Sequence, residues 1–234
     1  MSKLPPTIRT VVTDALRVLT FRRPSAAIGQ QWQAFLAFGL AFTWLAGVGR
    51  YWDNPRAALW QHLGLGSLAY VFCLAFVLWV LLIPLRPKSW SYKNVLVFVA
   101  LTSPPAVLYA IPVERFMSLA AAQTANAWFL AVVATWRVAL LVWFLRRLAG
   151  LSGLTIVVAT LLPLALIVVV LSSLNLEHVV FELMAGIRPE QRSANDFSYG
   201  VVTVLAVFSV LAAPFLMLAY GWLVYRAQRD ARPA

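Results

Sequence analysis

Acidic side chains are scarce in this chain. Eight Asp and Glu stand against 19 Lys and Arg among 234 residues. None of the eight lies deep in an apolar stretch, which leaves no carboxylate relay for moving protons through a bilayer. Cysteine is scarcer still. Cys73 stands alone, which excludes an internal disulfide and any cysteine-based metal or redox motif. The two histidines are His62 and His178. His178 and Glu182 are four apart and would share a helix face, but a zinc site commonly takes three protein ligands. Glu177, Asp196 or His62 would have to complete the set, and polar residues facing solvent or headgroups account for the same letters. No metal and no cofactor is assigned. Ser67, Ser103 and Ser152 have no nucleophile-elbow motif and no evident base. Gly64 and Gly66 form a lone pair within an apolar run, a helix-packing device rather than a phosphate loop. No catalytic residue is assigned, and the sequence reads as non-enzymatic.

Apolar residues make up 62% of the chain. They gather in six long stretches, near 32–49, 59–84, 94–113, 125–145, 152–173 and 200–225. A membrane-spanning helix needs about 20 apolar residues. The expected fold is therefore all-α: a polytopic transmembrane helical bundle of six spans, with an N-terminal amphipathic interfacial helix. The organisation follows directly. Residues 1–31 form an N-terminal segment, 32–226 the membrane domain and 227–234 a tail. Basic residues and prolines fill the start of the chain, unlike a cleavable signal peptide. The first span is expected to be an uncleaved anchor. Trp32, Trp52, Trp60, Trp90, Tyr92, Tyr199, Trp222 and Tyr225 lie near stretch ends, where amphipathic rings favour the membrane interface.

The formal charge of +11 does not indicate nucleic acid. The basic residues flank apolar stretches, and no nucleic-acid-binding motif accompanies them. With the N-terminus in the cytoplasm, 13 Lys and Arg fall on the cytoplasmic side and five on the other. The bias alternates at every connection, as the positive-inside rule requires. Both termini are expected to be cytoplasmic. The lean loops fit a bacterial inner membrane.

Before the first stretch, Ile8, Val11, Val12, Ala15, Leu16 and Leu19 recur at helical spacing. Arg9 and Arg17 lie off that stripe, and Arg22, Arg23 and Pro24 end it. Such a helix suits the plane of the cytoplasmic leaflet, with Arg9, Arg17, Arg22 and Arg23 as candidate contacts to anionic headgroups. Packing beneath the bundle accounts for the same pattern. Residues 175–187 show a similar stripe, Leu176, Val179, Val180, Leu183 and Ile187, and read as a short interfacial helix in the longest outer loop.

The third stretch carries Thr102-Ser103-Pro104-Pro105. Two adjacent prolines remove two donors and crowd the preceding turn, so a broken or kinked helix is expected. The fourth stretch carries Arg137 about midway between Trp128 and Arg146. A guanidinium at that depth should face the bundle or a polar cavity. Its acceptors would be carbonyls freed by the prolines, the hydroxyls of Thr102 or Thr135, a tyrosine such as Tyr109, Glu114 toward the outer face, or an anionic headgroup. Arg137, Thr102, Ser103, Glu114 and Tyr109 thus form the candidate intramembrane polar site.

Three phrases bear comparison with known proteins. They are Asp14-Ala15-Leu16-Arg17 through Phe21-Arg22-Arg23-Pro24, then Lys93-Asn94-Val95 leading to Thr102-Ser103-Pro104-Pro105, then Trp136-Arg137 running to Leu145-Arg146-Arg147-Leu148-Ala149-Gly150-Leu151-Ser152. The chain resembles the Yip1-domain superfamily over most of residues 10–225, especially its bacterial members. It lacks the Asp-Leu-Tyr-Gly-Pro motif of the trafficking members and has one stretch more than their usual five. The resemblance implies a membrane bundle and no enzyme activity. The leading expectation is a protein that organises lipids, anionic ones included, or a membrane protein partner, itself a second copy or another chain. A small transporter or channel for an anionic or amphipathic solute is the alternative, then an intramembrane lipid-modifying enzyme.

Overall fold

The computed structural model describes residues 8–49, 59–174 and 196–230. Every regular element among them is helical. The helices are α1 (Ile8–Leu19), α2 (Ala27–Gln30), α3 (Trp32–Val48), α4 (Leu59–His62), α5 (Leu65–Leu82), α6 (Tyr92–Leu101), α7 (Leu119–Arg147), α8 (Gly153–Leu174) and α9 (Asp196–Arg229). Short 3₁₀ turns cover Ile83–Leu85, Pro104–Ala110 and Val113–Arg115. The expected interfacial helix at 175–187 lies outside the described residues.

Four helices are long and apolar enough to cross a membrane: Leu65–Leu85, Leu119–Arg147, Gly153–Val170 and Val204–Arg229. A fifth crossing would be a broken one. Tyr92–Leu101 and Pro104–Ala110 together pass the same test, but they are bent by 46°. The first apolar stretch gives the 17-residue α3. At 1.5 Å per residue it is about 25 Å long, just short of an average hydrocarbon core. The described residues thus show four to five candidate spans where the hydropathy pattern suggested six.

The bend sits where the prolines put it. Ser91 caps the start of α6, its hydroxyl accepting from Asn94 N at 3.3 Å. Pro104 and Pro105 then supply no amide proton, so the helix cannot continue past Thr102. The Thr102 hydroxyl donates to Val99 O at 2.7 Å, a carbonyl that also accepts from Thr102 N at 3.2 Å. Pro163 and Pro214, by contrast, lie inside α8 and α9, which run through them. A single proline removes one bond, and neighbouring helices can hold the rest.

Helix α6 is the central post. Every side chain from Val95 to Leu101 is buried. Around it pack α3, α5 and α7, with Phe98 stacked on Phe144 at 4.0 Å between ring centroids. Helices α8 and α9 pair along the outside, and the Tyr220 hydroxyl ties α9 to Leu81 O at 2.6 Å. In lipid, helices gain little from burying apolar surface against each other. Close approach of small residues does the work instead. A Cβ on Gly39 would sit 2.5 Å from the Ala100 carbonyl carbon, and one on Gly47 would sit 2.8 Å from Gly64 Cα. Gly64 itself opens α5 at φ +71°, a conformation that excludes most side chains. The outward faces are apolar, α9 most of all: Phe208, Leu211, Phe215 and Leu218 are all exposed.

Helix α1 is a leaning flank of this bundle. Its C-terminus is a Schellman turn with Phe21 at φ +60°, Arg22 N bonded to Arg17 O at 2.7 Å and Phe21 N to Val18 O at 3.0 Å. The apolar stripe is divided. Val11, Ala15 and Val18 pack on Phe35, Val97 and Leu101, while Ile8 and Leu16 are 82% and 55% exposed. Half of the stripe therefore meets protein.

Candidate functional site

Two polar arrangements stand out, one at mid-height and one at the end where Arg147 lies. The first contains the residues singled out from sequence. Arg137 is ten residues from Arg147, and Thr102 is ten from Tyr92. Both lie roughly 15 Å along their helices from the basic end. Arg137 Nε donates to Thr102 O at 3.3 Å. That carbonyl is one left over where α6 stops. The phenols of Tyr70 and Tyr109 stand within electrostatic reach of the guanidinium.

Ser103 does not join this group. It is fully buried and faces α3, where its hydroxyl and that of Thr43 are 2.7 Å apart. Thr43 is also 2.9 Å from Gly39 O. One hydroxyl has one proton. With Thr43 donating to Gly39, Ser103 donates to Thr43. The side chain of Glu114 lies outside the described residues, as does any contact of it with Arg137. The structure thus brings Arg137 to Thr102, sets Tyr109 nearby and turns Ser103 away. Tyr70 was missed. It lies in α5, and nothing in its local sequence separates it from an interfacial tyrosine.

The second arrangement is a cavity of about 480 Å³ at the basic end, between the α1–α2 connection, α3, α6 and α7. Its deep walls are apolar: Val18, Val97, Phe98, Leu101, Trp143 and Phe144. Its rim carries Arg23, Lys88 and Arg147, with Ser25, Ser89 and Asn94. Local bonds fix the rim. Lys88 N donates to Ala149 O at 2.8 Å, clamping the turn after α5 to the turn after α7. Gly150, at φ +71°, leaves room for the Lys88 stem, which a Cβ there would meet at 3.0 Å. Asn94 Nδ2 donates to Ser89 O at 2.9 Å.

The α1–α2 connection is held across this rim. Asp14 is 1% exposed, an unusual place for a carboxylate. Arg17 Nη1 donates to its Oδ1 at 2.9 Å, and the Ser25 hydroxyl donates to its Oδ2. At the rim Arg23 Nη2 reaches Arg147 O at 3.5 Å, while well below it, eleven residues from Arg147 along α7, Trp136 Nε1 donates to Leu19 O at 3.1 Å. Of the four arginines expected at headgroups, Arg17 is turned onto Asp14 and Arg23 onto the rim, while Arg9 and Arg22 are exposed without an ion pair among the described residues. Asp14, Lys88 and Arg147 were missed as site residues. The rim is assembled from three separated segments, which no local motif announces. Among the described residues no three His, Cys, Asp or Glu stand together as a metal site.

No protein-family model matches the chain, and neither a curated protein nor a solved structure matches it.

Proposed function

We propose that this is a non-enzymatic integral membrane protein that organises lipid in the cytoplasmic leaflet. Its six apolar stretches are read as six spans of a bacterial inner membrane, with both termini inside. The basic end is then the cytoplasmic end. The observation that carries this reading is the divided face of α1. One side is locked to the bundle, and the other presents Ile8, Val12 and Leu16 outward, beside Arg9 and Arg17. A helix fixed by protein on one side and apolar with basic flanks on the other suits the leaflet's anionic headgroup region. The resemblance to the Yip1-domain superfamily fits this picture and adds no activity.

The transporter reading draws on the break in α6 beside Arg137. Against it, the break is packed. The Thr43–Ser103 bond and the contact of Gly39 with Ala100 close α3 onto α6 at that level. This supports close packing on the α3 side of the break.

The test uses full-length protein extracted in native lipid discs, with the co-extracted lipids quantified against the bulk membrane. Anionic lipids should be enriched. Leu16→Asp removes an apolar contact worth about 1.5–3 kcal/mol if fully buried in lipid and adds a charge of the wrong sign. The variant should lose most of the enrichment while keeping its fold, since Leu16 points away from the bundle. Enrichment equal in both proteins would remove α1 from the account.

A further inference from the structure

We propose that the cavity at the basic end is a binding site for a lipid with a terminal phosphate (phosphomonoester) head, taken up by its headgroup and the first part of one chain. This deepens the lipid-organising reading and rests on it.

The cavity is two-sided in chemistry. Arg23, Lys88 and Arg147 come from three separate segments and line the one cavity. No Asp or Glu lines the cavity. The nearest buried carboxylate, Asp14, is already satisfied by Arg17 and Ser25. Of the neutral rim groups, the Ser25 hydroxyl is engaged with Asp14 and the Asn94 amide with Ser89 O. The rim therefore offers chiefly positive charge. Three cations lining one cavity repel one another, and an anion between them relieves that repulsion. The α7 terminus works against an anion, because its last carbonyls carry partial negative charge. Arg23 lies on one of them, Arg147 O, and offsets it.

Phosphate fits this rim better than a carboxylate. It offers more acceptor oxygens and up to two charges, and guanidinium groups recognise it through paired hydrogen bonds. A free phosphate needs no apolar wall, yet this cavity runs down to Leu101 between Val97, Phe98 and Trp143. That depth calls for a chain attached to the anion. The volume of about 480 Å³ is that of a pocket for a drug-sized ligand. It takes a headgroup and part of one chain, the remainder passing out to lipid.

The site is tested by native mass spectrometry of the full-length protein in a non-ionic detergent. The probes are lysophosphatidic acid, lysophosphatidylcholine and inorganic phosphate. Lysophosphatidic acid should bind saturably at one per chain, and the other two at least about tenfold more weakly. Lys88→Gln combined with Arg147→Gln changes two exposed side chains and leaves the walls intact. It should weaken lysophosphatidic acid by on the order of tenfold or more. Equal binding of lysophosphatidylcholine, whose phosphate is esterified to a cationic choline, would show that the rim does not read a terminal phosphate and would overturn the proposal. So would inorganic phosphate binding as tightly, or unchanged affinity in the double variant. Lipid enrichment in native discs, with its dependence on Leu16, reports the broader reading separately. Enrichment that persists while the one-per-chain site is absent leaves that reading standing and removes this one.

Discussion

Gly39→Val should abolish the folded protein in mild detergent. A Cβ at this position would lie 2.5 Å from both the carbonyl carbon and oxygen of Ala100, and 2.7 Å from its Cβ. Two of these atoms are backbone, and no rotamer change can move them aside. Helices α3 and α6 would have to separate. Separation would stretch the Thr43–Ser103 bond and strip Phe35 of its packing on α1 and α6. Overpacking alone typically costs about 1–3 kcal/mol, and a backbone-to-backbone clash belongs at or above the top of that range. Gly221→Ala is the control. Nothing lies within 4 Å of a Cβ there, and alanine favours a helix by about 0.5–1 kcal/mol over glycine. Thermal unfolding followed by size-exclusion fluorescence should show no transition for Gly39→Val and an unchanged or higher midpoint for Gly221→Ala. A native-like midpoint for Gly39→Val would mean that α3 does not lie on α6 as described.

Arg137 should separate two substitutions sharply. Arg137→Leu removes one hydrogen bond of 3.3 Å and leaves Thr102 O without that donor. An unsatisfied buried acceptor costs about 1–3 kcal/mol. The same change removes a mid-span charge whose insertion costs about 2.5–3.5 kcal/mol. The two effects nearly cancel, so the leucine variant should fold with a midpoint within a few degrees of the parent. Arg137→Glu sets a carboxylate against the Thr102 carbonyl. An uncompensated buried charge costs about 3–5 kcal/mol, and like partial charges now face each other. This variant should fail to accumulate in the membrane. Leucine as damaging as glutamate would show that the guanidinium itself is required at that level.

The sequence made some of this legible and hid the rest for physical reasons. The stop at Thr102–Pro105 was readable because two missing donors leave the helix no way to continue. Pro163 and Pro214 looked alike on paper but fall inside unbroken helices. Whether one lost bond breaks a helix depends on neighbours that no window of sequence contains. Counting from Trp128 to Arg146 put Arg137 midway, and Thr102 O was one of several acceptors the sequence offered, beside hydroxyls, a tyrosine, Glu114 and a headgroup. The length of α3 did follow: hydropathy ran over 32–49 and the regular helix covers Trp32–Val48. The stripe on α1 was clear from spacing. Its division between protein and outward faces was not, since both surroundings accept an apolar side chain. The Asp14–Ser25 bond is part of what turns that face, and it joins residues eleven apart through a buried carboxylate. The cavity was illegible altogether. Its cations are unremarkable flanking charges until the turns after α5 and α7 are clamped together.

Everything proposed for lipid depends on the basic end facing the cytoplasm, and site-directed labelling measures this directly. With Cys73→Ala as background, Lys88→Cys and Glu190→Cys are exposed in turn to a membrane-impermeant maleimide on intact cells. The account predicts labelling of Glu190→Cys from outside, and of Lys88→Cys only after the cells are permeabilised. Labelling of Lys88→Cys on intact cells would place the cavity and its three cations on the wrong side of the membrane and contradict the account.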